Sequence, residues 1–350
     1  MTKQRLHYFD VIKGIAILLV VMGHVMIMGI HQIDRAFLFK LISRIHMPLF
    51  FFISGYFCYK TAENGKIIIP NIISKAKQLL IPFFCVSTLW IYYFPHSGIE
   101  SPLNSTWSGL YCDVWKNGYW FTFTLFELLC IYCVIVPIFN RLKNTIMQII
   151  TLIIFCALFY YLSHNINPKI SSILSISLMV QYMPIFFIGI IAKKHQVMFN
   201  SLLNSNIVIT TALILGSVLM YYTCYYWEYP TLPLCLVEYA TILVQISVVI
   251  VFFSVIKPLC ESEFCKEKPS KLLKSFEHFG KESLAIYLLH YFFLFPMTVF
   301  RQPLIDMGLG FTPMLIISMV TAITIIAIVL CVKSILCHSK ALSLLFLGKN

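Results

Sequence analysis

A chain of 350 residues that is 59% hydrophobic, only 11% charged and of mean hydropathy +0.85 lies far from a soluble domain, in which about 25% of residues are charged. That balance excludes a water-soluble globule and indicates an all-α, polytopic integral membrane protein. The formal charge of +12 is read as a topology signal and not as nucleic-acid binding.

Ten apolar segments of spanning length are expected, at about 11–30, 45–62, 78–95, 119–139, 145–163, 176–192, 206–226, 235–256, 281–300 and 311–332. They are read as one membrane-embedded domain over residues 1–350. With no separate soluble domain expected up to Asn350, the bundle itself must carry the activity. Only the links 96–118 and 257–280 are long enough to hold extra structure. Of the 26 Lys+Arg, six fall in odd-numbered links: Arg35, Lys40, Arg44, Lys116, Lys169 and Arg301. The remainder lie on the other side, so both termini are expected in the cytoplasm. The basic start and apolar run of the N-terminus are read as a retained signal anchor, because no small-residue cleavage site follows. The natural setting is a cell membrane, in the first instance a bacterial cytoplasmic membrane.

The first span opens with "FDVIKGIAILLVVMGH", residues 9–24, and carries ionisable groups where each costs about 2.5–3.5 kcal/mol. At about 100° per residue, Lys13 and His24 fall within about 20° of one another and about 16 Å apart along the axis. Asp10 and His31 lie on the same stripe, and Asp10 can pair with Lys13 three residues on. Gly14 and Gly23 leave room for another group beside Lys13 and His24. The stripe suits a histidine base at depth with charged groups towards the cytosol. An interhelical hydrogen bond from His24, with Lys13 snorkelling, is the structural alternative.

The second span opens with "HMPLFFFISGYF", residues 46–57, which places His46 at its outer end and Ser54-Gly55 where helices can approach closely. Lys75 and Lys77 in "SKAKQLLIPFF" precede the third span, where ordinary positive-inside anchoring would also put them. Glu127 lies within the fourth span, at a depth where a carboxylate is functional by default or pairs with a lysine. The run "YYTCYYWEYP", residues 221–230, fits an outer aromatic belt more simply than a sugar platform. The lysine- and glutamate-rich link 257–281 is read as solvated. His290 in the ninth span is either a site residue or an interhelical bond.

Twelve cysteines are read as small membrane-compatible apolar residues, Cys260 and Cys265 need no disulfide, and no Cys/His spacing suggests a metal site. Asn104-Ser105-Thr106 matches a glycosylation acceptor, a match that chance supplies easily.

Taken in order, "FDVIKGIAILLVVMGH", "HMPLFFFISGYF", "KAKQLLIPFF", "YWFTFTLFELL" (119–129), "QYMPIFFIGIIAKK" (181–194) and "GKESLAIYLLHYFFL" (280–294) resemble the acyltransferase-3 family of integral membrane acyltransferases. The resemblance implies transfer of an acyl group, often acetyl from acetyl-CoA, to hydroxyls on sugars and other cell-surface or secreted molecules. It implies a functional basic residue and histidine in span one, here Lys13 and His24, and a basic pair before span three, here Lys75 and Lys77. The family usually has arginine at all three basic positions, and lysine lacks the planar fork that grips phosphate bidentately. Some relatives carry an additional esterase-like domain after the last span, which this chain is expected to do without.

The resulting expectation is a membrane O-acyltransferase. Its catalytic candidates are His24, Asp10 and His46, and Lys13, Lys75 and Lys77 are its candidates for binding acyl-CoA, with Glu127 and His290 as further site residues. Acyl-CoA acts as a substrate, with no bound cofactor. The acceptor is expected to be a carbohydrate or another hydroxyl compound. A transporter or flippase for a glycan or lipid-linked sugar is the rival, though the paired broken half-helices typical of one are not evident. A structural or sensing protein would leave the His24 stripe unexplained.

Overall fold

The computed structural model describes residues 6–30, 36–96, 106–142, 144–225, 234–265, 269–294 and 311–349. His31, residues 104–105 of the glycosylation match and residues 226–230 of the aromatic run lie outside them. Among the described residues the protein is all-α, its one β feature being an isolated bridge between Thr61 and Ile67. Nine described helices are long and apolar enough to cross a membrane, as expected for backbone that must satisfy its own hydrogen bonds in lipid. They are α1 (His7–His24, continued by a π-helical turn Val25–Ile30), α2 (Ala36–Cys58), α3 (Ile72–Tyr93), α5 (Trp120–Arg141), α6 (Thr145–Asn165), α8 (Ile176–Lys194), α10 (Asn206–Tyr225), α11 (Leu234–Cys265) and α14 (Phe311–Leu336). Shorter helices are α4 (Trp107–Cys112), α7 (Pro168–Ile173), α9 (Gln196–Leu203), α12 (Lys271–Lys281), α13 (Ser283–Leu289) and α15 (Lys340–Leu347). At the expected ninth span the described helix, Ser283–Phe293, is shorter than a crossing, and residues 295–300 of that segment lie outside the described residues.

Packing divides the chain into two compact units. The first comprises Met1–Phe50, Tyr93–Pro102 and Asn200–His338; the second comprises Phe51–Tyr92, Leu103–Phe199 and Ser339–Asn350.

In the first unit α1 is the central post. Val11, Ile12, Ala16, Ile17 and Val21 have no exposed surface. The helix packs against α11, α12, α13 and α14. Its N-terminal half meets α12 backbone to backbone. A Cβ added at Gly14 would lie 1.9 Å from the Phe276 carbonyl oxygen, and one at Gly280 would lie 1.7 Å from that of Asp10. Around this contact Glu277 receives His7 at 2.9 Å and Lys281 at 2.5 Å, and Lys333 reaches Glu282 at 3.0 Å. Burial pushes the Glu277 carboxyl up, but the Lys281 and His7 partners outweigh it and hold the group below the usual glutamate value. The expected solvated link is corrected here. Residues 271–281 form a helix docked on α1, because two glycines at matching heights remove the side chains that would hold the backbones apart.

In the second unit α2 and α8 make the same kind of contact. A Cβ on Gly55 would lie 1.9 Å from the Phe186 carbonyl oxygen, and one on Gly189 would lie 2.2 Å from that of Phe52. The close approach expected at Ser54-Gly55 is therefore present. Phe51, Trp120 and Tyr182 stack beside it. Lys116 is 1% exposed, and its ammonium donates to the carbonyls of Tyr111, Ser172 and Ile173 at 3.3, 2.9 and 2.8 Å. Three donors meet three acceptors, so this cation ties α4 to the end of α7. Cys130 and Cys133, at C-x-x-C spacing on α5, are free thiols, as are the other cysteines whose side chains are described. No metal-binding cluster is found among the described residues.

Candidate active site

The polar stripe of α1 is present, with its two ends in different company. At the first end Lys13 pairs with Asp10 at 2.8 Å, and the two side chains are 24% and 9% exposed. At the other end His24 closes the α-helix and Val25–Ile30 continue as a π-helical turn. Such wide turns interrupt the regular ladder and recur at functional sites. Asp10 lies fourteen residues before His24, about 21 Å along the axis, so it serves as the counter-ion of Lys13 and does not touch the imidazole.

His24 is partly exposed and sits against two consecutive side chains from the turn that follows α13 in the first unit. His290 Nε2 lies 3.0 Å from His24 Nδ1, and the Tyr291 hydroxyl lies 3.0 Å from His24 Nε2. The His24 ring centroid is 5.0 Å from that of His290 and 4.8 Å from that of Tyr291. Both partners are fully buried. A 3-10 turn, His290–Phe293, follows α13, and two consecutive side chains there reach one imidazole. His290 Nδ1 in turn faces the carbonyl oxygens of Ile286 at 3.0 Å and Tyr287 at 2.8 Å.

His46 is 6% exposed on α2 and is close enough to His24 to act on it electrostatically, but among the described residues it makes no hydrogen bond to that ring. Lys75 and Lys77 belong to the second unit. They fall inside the first turns of α3, whereas the sequence places them ahead of the span. Residues two apart on a helix point to nearly opposite sides. Lys75 is partly buried and donates to Gln78 at 3.0 Å, while Lys77 is exposed. Glu127 is partly buried in α5, and its Oε2 has no hydrogen-bond partner. Lys116 attracts it but is bound to carbonyls, so the expected lysine pair is not formed within 4 Å among the described residues.

Tyr291 is absent from the sequence candidates. Its only signal is adjacency to His290 in "LLHYFF", and helical spacing would send neighbouring side chains apart.

The sequence profile of a family described as an acyltransferase domain matches residues 6–333, nearly the whole chain. The chain therefore belongs to this acyltransferase family. It is also similar to the nodulation protein NolL of Sinorhizobium fredii (strain NBRC 101917 / NGR234), 39% identical over 104 residues, which is 27% of this chain and 28% of that protein. The NolL protein of Mesorhizobium japonicum (strain LMG 29417 / CECT 9101 / MAFF 303099) is 35% identical over 144 residues, 39% of this chain and 37% of the relative. The chain thus spans little more than a third, at most, of the curated relatives it matches. No solved structure matches it.

Proposed function

We propose that this family member transfers an acyl group, acetyl first among the candidates, from acyl-CoA to a hydroxyl of a cell-surface or secreted carbohydrate. His24 is the general base. The observation that carries this is the partly exposed imidazole held at the end of α1, with one ring nitrogen on His290 and the other facing an O–H group. Imidazole is the side chain whose basicity suits removal of a hydroxyl proton near neutral pH. In the step proposed, His24 takes the acceptor proton as the acceptor oxygen attacks the thioester carbonyl. A C–O bond forms, the C–S bond breaks, and the thiolate of CoA leaves and takes up the proton.

The acyl-CoA phosphates are proposed to meet Lys13, Lys75 and Lys77 from the cytosolic side. This rests on their cationic charge and on the family motif that all three positions match, with both termini placed in the cytoplasm by the lysine and arginine bias. Reporter fusions at the C-terminus and within link 257–280 should both read cytoplasm, and an outward signal from either removes the cytosolic placement of the lysines.

The test of the function is transfer of label from labelled acetyl-CoA in membrane vesicles that hold the native acceptor. Mass spectrometry of surface glycans with and without the gene should show a lost acetyl mass. His24→Ala should lower transfer about 10²–10⁴-fold while the protein still inserts and binds acetyl-CoA. Near-normal transfer by this variant would overturn the assignment. Glycan export lost in knockout cells, with no acyl transfer in the vesicles, would favour a transporter instead.

A further inference from the structure

We infer that His290 is a positioning residue that fixes which ring nitrogen of His24 is basic, an inference resting on the reading of His24 as the base. The hydrogen bonds allow one neutral assignment of protons. His290 Nδ1 faces the carbonyl oxygens of Ile286 and Tyr287, and a carbonyl oxygen only accepts. His290 Nδ1 must therefore carry its proton. Nε2 of a neutral ring is then a lone pair, and it can meet His24 Nδ1 at 3.0 Å only if that nitrogen donates. The proton of His24 is thus on Nδ1, which leaves the lone pair on Nε2. The Tyr291 hydroxyl, 3.0 Å from Nε2, donates to it.

The opposite tautomer of His24 would set two lone pairs against one another. An imidazolium on His290 would reverse the chain, and one on His24 would make the Tyr291 hydroxyl an acceptor, but either would set an unpaired charge at a 0% exposed His290, with no carboxylate paired to either ring among the described residues. Burying an unpaired ion is strongly unfavourable.

The division of labour follows from burial. His290 has no exposed surface and is anchored to backbone, so it cannot reach a substrate. His24 is partly open, so it can. Tyr291 presents its O–H to Nε2 in the direction from which an acceptor hydroxyl has to come. The phenol marks the reactive side of the ring, and the carbonyls of α13, acting through His290, determine that it is this side. The logic is that of an orienting group behind a histidine base, for which an imposed wrong tautomer costs up to about 10⁴-fold in rate.

The experiment uses full-length protein in nanodiscs with ¹⁵N-labelled histidine, and compares the wild type, His290→Ala, His290→Gln and Tyr291→Phe. The ring ¹⁵N shifts of His24 report its tautomer directly. Transfer from labelled acetyl-CoA is measured for the same variants in vesicles. Wild type and Tyr291→Phe should both hold the His24 proton on Nδ1, because His290 sets it. His290→Ala should lose that preference and lower turnover on the order of 10²-fold, with the KM for acetyl-CoA unchanged. Glutamine offers an amide oxygen to Nδ1–H and should restore the tautomer, with turnover within about tenfold of wild type.

An unchanged tautomer with unchanged turnover in His290→Ala would overturn the inference. So would a His24 proton on Nε2, or an imidazolium signal, in the wild type at neutral pH. If His290→Ala does not fold, the wild-type and glutamine spectra still decide the matter. A His24→Ala variant with near-normal turnover would remove the underlying base assignment instead, and the ring shifts keep that failure distinct from a failure of His290.

Discussion

The two polar ends of α1 are built on opposite principles. At one end Asp10 and Lys13 are charged, three residues apart and locally paired, and α12 is pressed against their backbone. At the other end His24 is held in a neutral chain of hydrogen bonds whose partners lie 266 and 267 positions away, beside a turn that departs from the regular helix. A local ion pair is satisfied by helical spacing alone, so it can serve as a rigid foot. A ring whose two nitrogens have different neighbours has a direction, and direction is what proton transfer needs. On the function proposed, proton transfer belongs to the His24 end, while the Asp10–Lys13 end seats the helix and offers a cation to the donor.

The sharpest way to break the contrast is to neutralise both ends and compare rates. His24→Ala should cost about 10²–10⁴-fold in turnover, equivalent to about 2.7–5.4 kcal/mol of barrier. Asp10→Asn should cost less than about tenfold, since Asp10 does not reach the imidazole. Equal losses would collapse the distinction. Next in size is the close contact beside Asp10. Gly14→Leu or Gly280→Leu forces side-chain atoms into a backbone carbonyl, and overpacking of this kind costs about 1–3 kcal/mol. Thermal unfolding in detergent should fall accordingly, and an unchanged midpoint would mean that α12 is not held against α1.

A smaller effect separates the two lysines of α3. Lys75→Ala should raise the KM for acetyl-CoA about tenfold, the scale of one charge-assisted contact. Lys77→Ala, which removes a more exposed and better screened cation, should raise it by about threefold or less. An unchanged KM in the variant that lacks both would return these lysines to ordinary membrane anchors. The smallest effect is that of pH on the foot. Because its partners hold Glu277 below the usual carboxylate value, its contribution is fully present above about pH 4.3 and is lost as pH falls through the folded value. Hydrogen exchange of α12 amides should quicken below that pH in the wild type and respond less in Glu277→Gln.

What could be read from the sequence divides along the same line. Local regularities survive translation into structure: the stripe of α1, the Asp10–Lys13 pair and the close approach at Gly55 all follow from helical geometry. Contacts made across the chain do not. Nothing in periodicity couples residue 24 to residues 290 and 291, and the 3-10 turn that brings both side chains to one ring is a departure from the spacing on which such reading depends. Charge misled in the link 257–281, where lysines and glutamates suggested solvent but Leu273, Glu277 and Gly280 are buried. Nor does charge alone show where a lysine ends: the Lys116 cation is taken up by three backbone carbonyls.

The contact of Gly14 with Phe276 also has a consequence in time. A ribosome adds about 5–20 residues per second, so the segment that closes on the start of α1 is made on the order of 13–50 s after that start has entered the membrane. Throughout that interval the Asp10–Lys13 pair lacks the helix that will cover it, and the imidazole lacks its two partners. Chains released before residue 291 lack a hydrogen-bond partner of His24, whatever else of the bundle has formed. Synthesis itself therefore leaves the His24 ring without its two partners until most of the molecule exists.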